Sequence, residues 1–302
     1  MKIAISLAAL AAALVATPVL AQAAPAAAPT AAEAEAFLTK AEKALFDQSI
    51  ISGRAAWINA TYITDDTDAI ASYFGAIDTK QRVDFALEAA KYATAPGLSA
   101  ETRRRLNLLQ TALTLPAPTT AGAAEELNEL ATKLQSAYGK GKGTLKGQPI
   151  NGSDIEEQMG VNRNPQELKE MWVSWHDNVG APMRDDYVKL VGIANAGSKE
   201  LGFADTGAMW RSKYDMPADD FAKLTDKIWA EVKPLYDELH CYTRTKLNEK
   251  YGDAVQPATG PIRADLLGNM WAQEWGNIYD IVAPAGAGDL GYDVTEWLTT
   301  KG

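Results

Sequence analysis

Between residues 217 and 250 the apolar side chains Phe221, Leu224, Ile228, Val232, Leu235, Leu239 and Tyr242 recur at spacings of 3, 4, 4, 3, 4 and 3. That period is helical and nothing else. A single amphipathic helix of this length is about 50 Å long at ~1.5 Å per residue. A chain that carries one must build its core from helix faces. Asp219 and Asp220 suit the helix's positive N-terminal end, and Gly252 closes it. Pro234 lies inside the run and is expected to kink it or mark a join.

The rest of the chain follows the same period. Phe37, Leu38, Ala41, Leu45, Ile50, Ala55 and Trp57 define a first helix face from Glu33 onward. Asp65 to Asp68 cap a second helix through Tyr92, which Pro96-Gly97 stops. A third run, ETRRRLNLLQTALTL, ends at Pro116, and a fourth covers Ala124 to Tyr138. The stretch GKGKGTLKGQPINGS at 139–153 reads as a solvated basic loop. Its glycines do not follow phosphate-loop spacing, and Gly143 stands where that motif needs Ser or Thr. Helices resume at Asn164-Pro165, and another runs from about Pro182 to Leu201. No strand alternation, internal repeat or sustained heptad seam is expected. The fold class is all-α.

The 302 residues, 47% of them hydrophobic with 8 Trp, are enough for a sizeable core. A net charge of −10 repels phosphate backbones and argues against nucleic acid as partner. One cysteine, Cys241, excludes an intramolecular disulfide and any cysteine-based metal cluster. Residues 1–23, with Lys2 ahead of an Ala- and Leu-rich run and Ala-x-Ala-like ends, read as a secretory signal peptide. Residues 24–32 form an Ala/Pro linker, and 33–302 the helical domain. The mature chain is expected in a bacterial periplasm or outside the cell, with no membrane span after cleavage.

Chemistry is sparse. The two histidines, His176 and His240, are 64 residues apart and cannot form a zinc-protease pair at i,i+4. No GxSxG elbow is present, and the paired carboxylates Glu156-Glu157 and Asp185-Asp186 suit solvated helix faces. In LLGNMWAQEWGNIYD at 266–280, Trp271 and Trp275 stand at helical i,i+4 spacing around the neutral Gln273. The residues alone support an exported helical protein without an identifiable catalytic group.

Several stretches carry a resemblance. LLGNMWAQEWGNIYD, WRSKYDMP at 210–217, and KPLYDELHCYTRTKLNEKYG at 233–252 followed by GPIRADLLGNMW resemble the angiotensin-converting-enzyme family of zinc peptidyl-dipeptidases. The likeness extends through MWVSWHDNVG to AWINATYIT at 56–64. It implies the N-terminal portion of a two-lobed helical ellipsoid with a central peptide cleft, whose members release C-terminal dipeptides from short peptides. The family uses HExxH and a downstream Glu to hold zinc. The resemblance puts that motif after residue 302, so the chain is expected to be a fragment, a truncated frame or one piece of a split protein. Alone it is expected to bind no zinc tightly and to be inactive, its partners being a peptide substrate and a C-terminal half.

By the same resemblance, Gln273 binds the free C-terminal carboxylate of the peptide, with Trp271 and Trp275 holding its helix. Glu274 lies near the pocket for the terminal side chain, and Tyr214 beside a bound chloride. A second chloride site has Arg in the family where this chain has His176, a poorer anion ligand. The family's early disulfide has no counterpart in GKGKG. The alternative is a non-catalytic periplasmic helical module that binds peptides or a partner protein.

Overall fold

The computed structural model describes residues 28–287 and 294–301. The expected signal peptide lies outside the described residues, and so does the expected linker apart from residues 28–32. Among those described, helices dominate and the strands form one small hairpin, as the all-α expectation required.

Helices α1 (Ala31–Thr61) and α2 (Asp65–Tyr92) form an αα-hairpin. Each begins with a reciprocal capping box, Thr30 with Glu33 and Thr64 with Thr67. The turn between them is pinned by buried Asn59, whose amide donates to Asp68 Oδ1 at 2.6 Å. Helix α3 (Ala100–Thr111) closes the hairpin's far end, where Phe37 stacks on Tyr92 at 5.3 Å. It ends before the expected Pro116. Helix α4 (Ala123–Lys140) packs on the other side of α2. There Gly75 is required, because a Cβ would lie 2.5 Å from Asn128 Oδ1.

The basic stretch is not a loop. Strands β1 (Lys142–Leu145) and β2 (Gln148–Asn151) pair antiparallel through a two-residue turn, with Lys146 at φ 54° and Gly147 at φ 72°. Two positive φ values match the twist of paired strands, and Lys-Gly supplies them. Pro149 is tolerated because a two-stranded ribbon consists of edges. Glu170 accepts from the turn's N–H groups, Gly147 at 2.8 Å and Lys146 at 3.0 Å. Those bonds hold its carboxyl below the ordinary carboxylate range.

Asn151 then caps an unexpected helix, α5 (Gly152–Val161), before α6 (Pro165–Trp175). A one-turn π-helix, His176–Gly180, joins α6 to α7 (Ala181–Glu200). The short α8 (Thr206–Arg211) precedes α9 (Ala218–Tyr251), which runs 34 residues as one helix. Pro234 does not break it. The carbonyl that loses its partner there, that of Ala230, lies in an exposed stretch, since residues 223–239 are all exposed. Short helices α10 (Tyr279–Val282) and α11 (Thr295–Lys301) follow.

The apolar stripe of α9 is on the surface. Leu224, Ile228, Val232, Leu235, Leu239 and Tyr242 are all exposed, Leu235 at 75%. Only Thr243 and Leu247, near the C-terminal end, are buried. No described helix is long and apolar enough to cross a membrane.

Candidate functional site

Residues 264–282 fold back onto the core built by α5, α6 and the C-terminal end of α9. Leu266, Leu267, Met270 and Ile278 are buried there beside Met159, Met171 and Leu247. The expected helix across 266–280 does not form. A 3₁₀ turn at Ala264–Leu266 and another at Gly276–Ile278 bracket an irregular loop, 267–275.

Three local features defeat the helix. Gly268 takes φ 89°, and any Cβ there would lie 2.8 Å from the Cβ of Asn277. Asn269, itself buried, uses its side chain in place of the helical backbone ladder. Its Oδ1 accepts from Trp271 N at 2.9 Å, and its Nδ2 donates to Glu274 O at 3.0 Å. Ala272 is left-handed, φ 52°. Trp271 and Trp275 therefore do not share a helix face.

The loop's frame is tied down from several directions. Trp172 Nε1 donates to Met270 O at 3.0 Å, and Asn277 Nδ2 to Gly268 O at 2.9 Å. Arg163 donates to Asn277 O at 2.8 Å and to the Asp280 carboxylate at 2.9 Å. That bond keeps the Asp280 carboxyl below its usual range. Trp275 Nε1 closes the loop on Ala272 O at 3.1 Å.

Gln273 and Glu274 stand at the tip. Both are exposed, and neither side chain has a hydrogen-bond or ion-pair partner among the described residues. Gln273 therefore does not satisfy a neighbouring backbone group. The two tryptophans flank it in different surroundings. Trp275 meets Tyr236 at 6.0 Å and His240 at 6.4 Å on α9. Trp271 lies near-parallel to Tyr138 of α4 at 6.3 Å and edge-on to His176 at 6.1 Å.

His176 stacks on Trp172 at 3.9 Å, and its Nδ1–H donates to Trp172 O at 2.7 Å. His240 accepts from Arg244 at 3.5 Å. Tyr214 is not brought to this loop. Its ring stacks on Phe221 at 3.8 Å, near the start of α9. Phe221 lies about 22 Å along the helix from Tyr236, at ~1.5 Å per residue.

No group of three or more His, Cys, Asp or Glu stands close enough to hold a metal ion among the described residues. The donors present do not make a zinc site, and no step through zinc follows from them. The residues that sequence reasoning passed over are the framing ones, Asn269 and Arg163 above all. A Gly-Asn pair inside an otherwise helical pattern is a turn signal, and 268–269 carried it.

A family model described as angiotensin-converting enzyme matches residues 28–302. The angiotensin-converting enzyme of Haematobia irritans exigua is 31% identical over 276 residues, covering 89% of this chain and 44% of the fly protein. That of Mesocricetus auratus is 30% identical over 274 residues, 89% of this chain and 20% of the hamster protein. The Bos taurus enzyme reaches 43% identity over 131 residues, 43% of this chain and 10% of that protein. The fold and the loop thus belong to a helical metallopeptidase family. The chain is a member of the angiotensin-converting-enzyme family, and it spans less than half the length of these relatives.

Proposed function

We propose that this chain supplies one wall of the peptide cleft of an exported peptidyl-dipeptidase, with Gln273 receiving the free carboxylate of the substrate's C-terminus. The observation that carries the reading is an unpartnered amide at the tip of a loop whose frame is fixed by Trp172, Asn269, Asn277 and Arg163. A neutral amide donates to a carboxylate without leaving a buried charge when substrate is absent. Trp271 and Trp275 fix the loop's two flanks, so Gln273 is presented at a set position. Glu274, beside it, faces the terminal side chain and favours Lys or Arg there.

Zinc, held by an HExxH motif outside these 302 residues, would supply the activated water. This chain's residues bind and orient the peptide. Alone, it is inactive and needs a C-terminal half, whose natural seat is the exposed stripe of α9. Tyr214, stacked on Phe221, is the weaker assignment, to a chloride site that the same half would complete. Cleavage of residues 1–23 would release the protein into a bacterial periplasm or the medium.

The test joins this chain to a family C-terminal half and compares free-acid with C-terminally amidated peptides. Gln273→Ala should lower kcat/KM for the acids by about 10- to 100-fold, equivalent to roughly 1–3 kcal/mol. Amides should lose much less. Equal losses remove Gln273 from the carboxylate site. The exposed α9 stripe also suits a non-catalytic module that binds a partner through this helix. Chelator-insensitive peptide binding by the chain alone, with no gain on adding the other half, favours that second reading.

A further inference from the structure

We propose that Asn151–Gly152 is a self-modifying site, at which backbone attack on the asparagine side chain yields isoaspartate and aspartate. The proposal does not depend on the peptidase reading. Of the eleven asparagines, only Asn151 precedes glycine. A glycine leaves its own nitrogen open to approach, because no Cβ stands beside it. Packing imposes that glycine. A Cβ at Gly152 would lie 2.8 Å from Trp175 Cη2 and 3.1 Å from Cζ3, and Trp175 is buried. Asn164 precedes proline, whose nitrogen carries no proton, and the other nine are followed by residues with side chains.

The reaction needs only these two residues and one water. Gly152 N bonds to Asn151 Cγ, the Cγ–Nδ2 bond breaks, and ammonia leaves with the proton that Gly152 N gives up. Water then opens the five-membered imide. Attack at Cγ gives aspartate, attack at the main-chain carbonyl gives isoaspartate, and nothing is oxidised or reduced. Asn151 is exposed, so water reaches the ring. Gly152 is the first residue of α5, where an N–H has no acceptor within the helix.

The cap of α5 sets the rate. Asn151 Oδ1 accepts from Asp154 N at 2.9 Å, and its Nδ2 donates to Asp154 Oδ2 at 2.7 Å. The side chain reaches forward over the first turn, from an extended residue with ψ 167° that pairs with Lys142 in the hairpin. Cyclisation turns the amide back onto Gly152 N, so the cap must open first. Both products weaken that cap. A carboxylate in place of the amide sets like charge against Asp154, and isoaspartate adds one carbon to the main chain between β2 and α5. Ile155 and Met159, fully buried on α5, then lose register against the core that holds Leu266 and Met270.

The test ages the chain at mildly alkaline pH and follows every asparagine-containing peptide by mass. Methyl transfer by a protein-isoaspartate methyltransferase is the probe for isoaspartate. Asn151 should convert before any other asparagine, and methyl acceptance should rise with it. Asp154→Ala removes the bond to Nδ2 and should speed conversion about three- to tenfold, the effect of one lost hydrogen bond on cap opening. Asn151→Ser keeps a capping oxygen and has no amide to lose, so methyl acceptance should fall to background with helicity unchanged. Amide exchange across α5 should accelerate in the aged wild type and not in aged Asn151→Ser. Faster conversion at another asparagine, an Asp154→Ala rate equal to or below wild type, or undiminished methyl acceptance in Asn151→Ser would each overturn the proposal.

Discussion

Asn269→Ala is the most direct probe of the loop that presents Gln273. The wild-type side chain is buried and answers two backbone groups, Trp271 N at 2.9 Å and Glu274 O at 3.0 Å. Alanine fills neither role. Each unanswered group costs about 1–3 kcal/mol if it stays buried. Glu274 is exposed and Trp271 half-exposed, so water reaches part of the loop. The lower half of that range applies to each, which gives roughly 2–4 kcal/mol for the pair. At about 2 °C per kcal/mol for a chain of this size, Tm should fall by ~4–8 °C. Amide exchange at Trp271 should accelerate, while exchange in α2, which does not touch the loop, should not. Asn269→Asp retains the acceptor for Trp271 N and should recover the exchange protection at that amide, but not the bond to Glu274 O. An unchanged Tm together with an unchanged Trp271 amide would show that the turn, and not Asn269, holds the loop.

Three further outcomes are expected. In the joined protein, Glu274→Ser should reduce the preference for Arg over Glu at the peptide's last position by about tenfold; an unchanged ratio removes Glu274 from that pocket. Asp280→Asn should destabilise the chain at pH 7 by about 0.2–1 kcal/mol, as for an exposed ion pair. Because Arg163 lowers the folded-state pKa of Asp280, its contribution is complete above the unfolded carboxyl's ~3.9 and is lost as pH falls through the lower folded value. The gap between wild type and variant, followed by urea unfolding, should therefore close below about pH 4. Leu235→Glu, at the most exposed point of the α9 stripe, should leave circular dichroism unchanged and reduce self-association and apolar-dye binding. Sedimentation velocity at matched concentrations checks it.

What the sequence reveals depends on how local the determinants are. Helix α2 was readable because Asp65, Asp66 and Asp68 fall in its first turn and Pro-Gly follows, although the cap itself is Thr64 and not the acids. The hairpin was hidden by composition, because four glycines and three lysines in 139–147 resemble a loop. Its actual signal was shorter, a Lys-Gly turn between Thr-Leu and Gln-Pro-Ile. Helix α5 was hidden behind it, although Asn151 and Asp154 carry the cap. The 266–280 error is of another kind. Two tryptophans at i,i+4 satisfy the helical period, yet Gly268, Asn269 and Ala272 set the backbone locally. Spacing between two large residues is weak evidence when the residues just before them, here Gly268 and Asn269, favour a turn. The role proposed for Gln273 came only from resemblance, since nothing in its neighbours' composition distinguishes a ligand from a cap.

Helix α9 shows the limit of periodicity from the opposite side. Its stripe was read correctly as helical, and yet six of the seven residues that define the period are exposed. A period states which surface a sequence keeps apolar, and it does not name what covers that surface. Thr243 and Leu247 are buried because residues 255–282 return onto that end, where the Tyr242 hydroxyl donates to Val282 O at 2.8 Å. At the other end Tyr214 stacks on Phe221. Between them α9 is open, and the Tyr236–Trp275 contact lies at the edge of the packed part. Gln273 stands two residues from that edge. A positioning group needs a frame that does not drift and an open side through which a ligand arrives. On one flank the loop has the core of α5, α6 and the end of α9; on the other it has the exposed aromatic face of the same helix. That boundary, invisible in any single stretch of sequence, leaves the unpartnered amide at 273 framed on one side and open on the other.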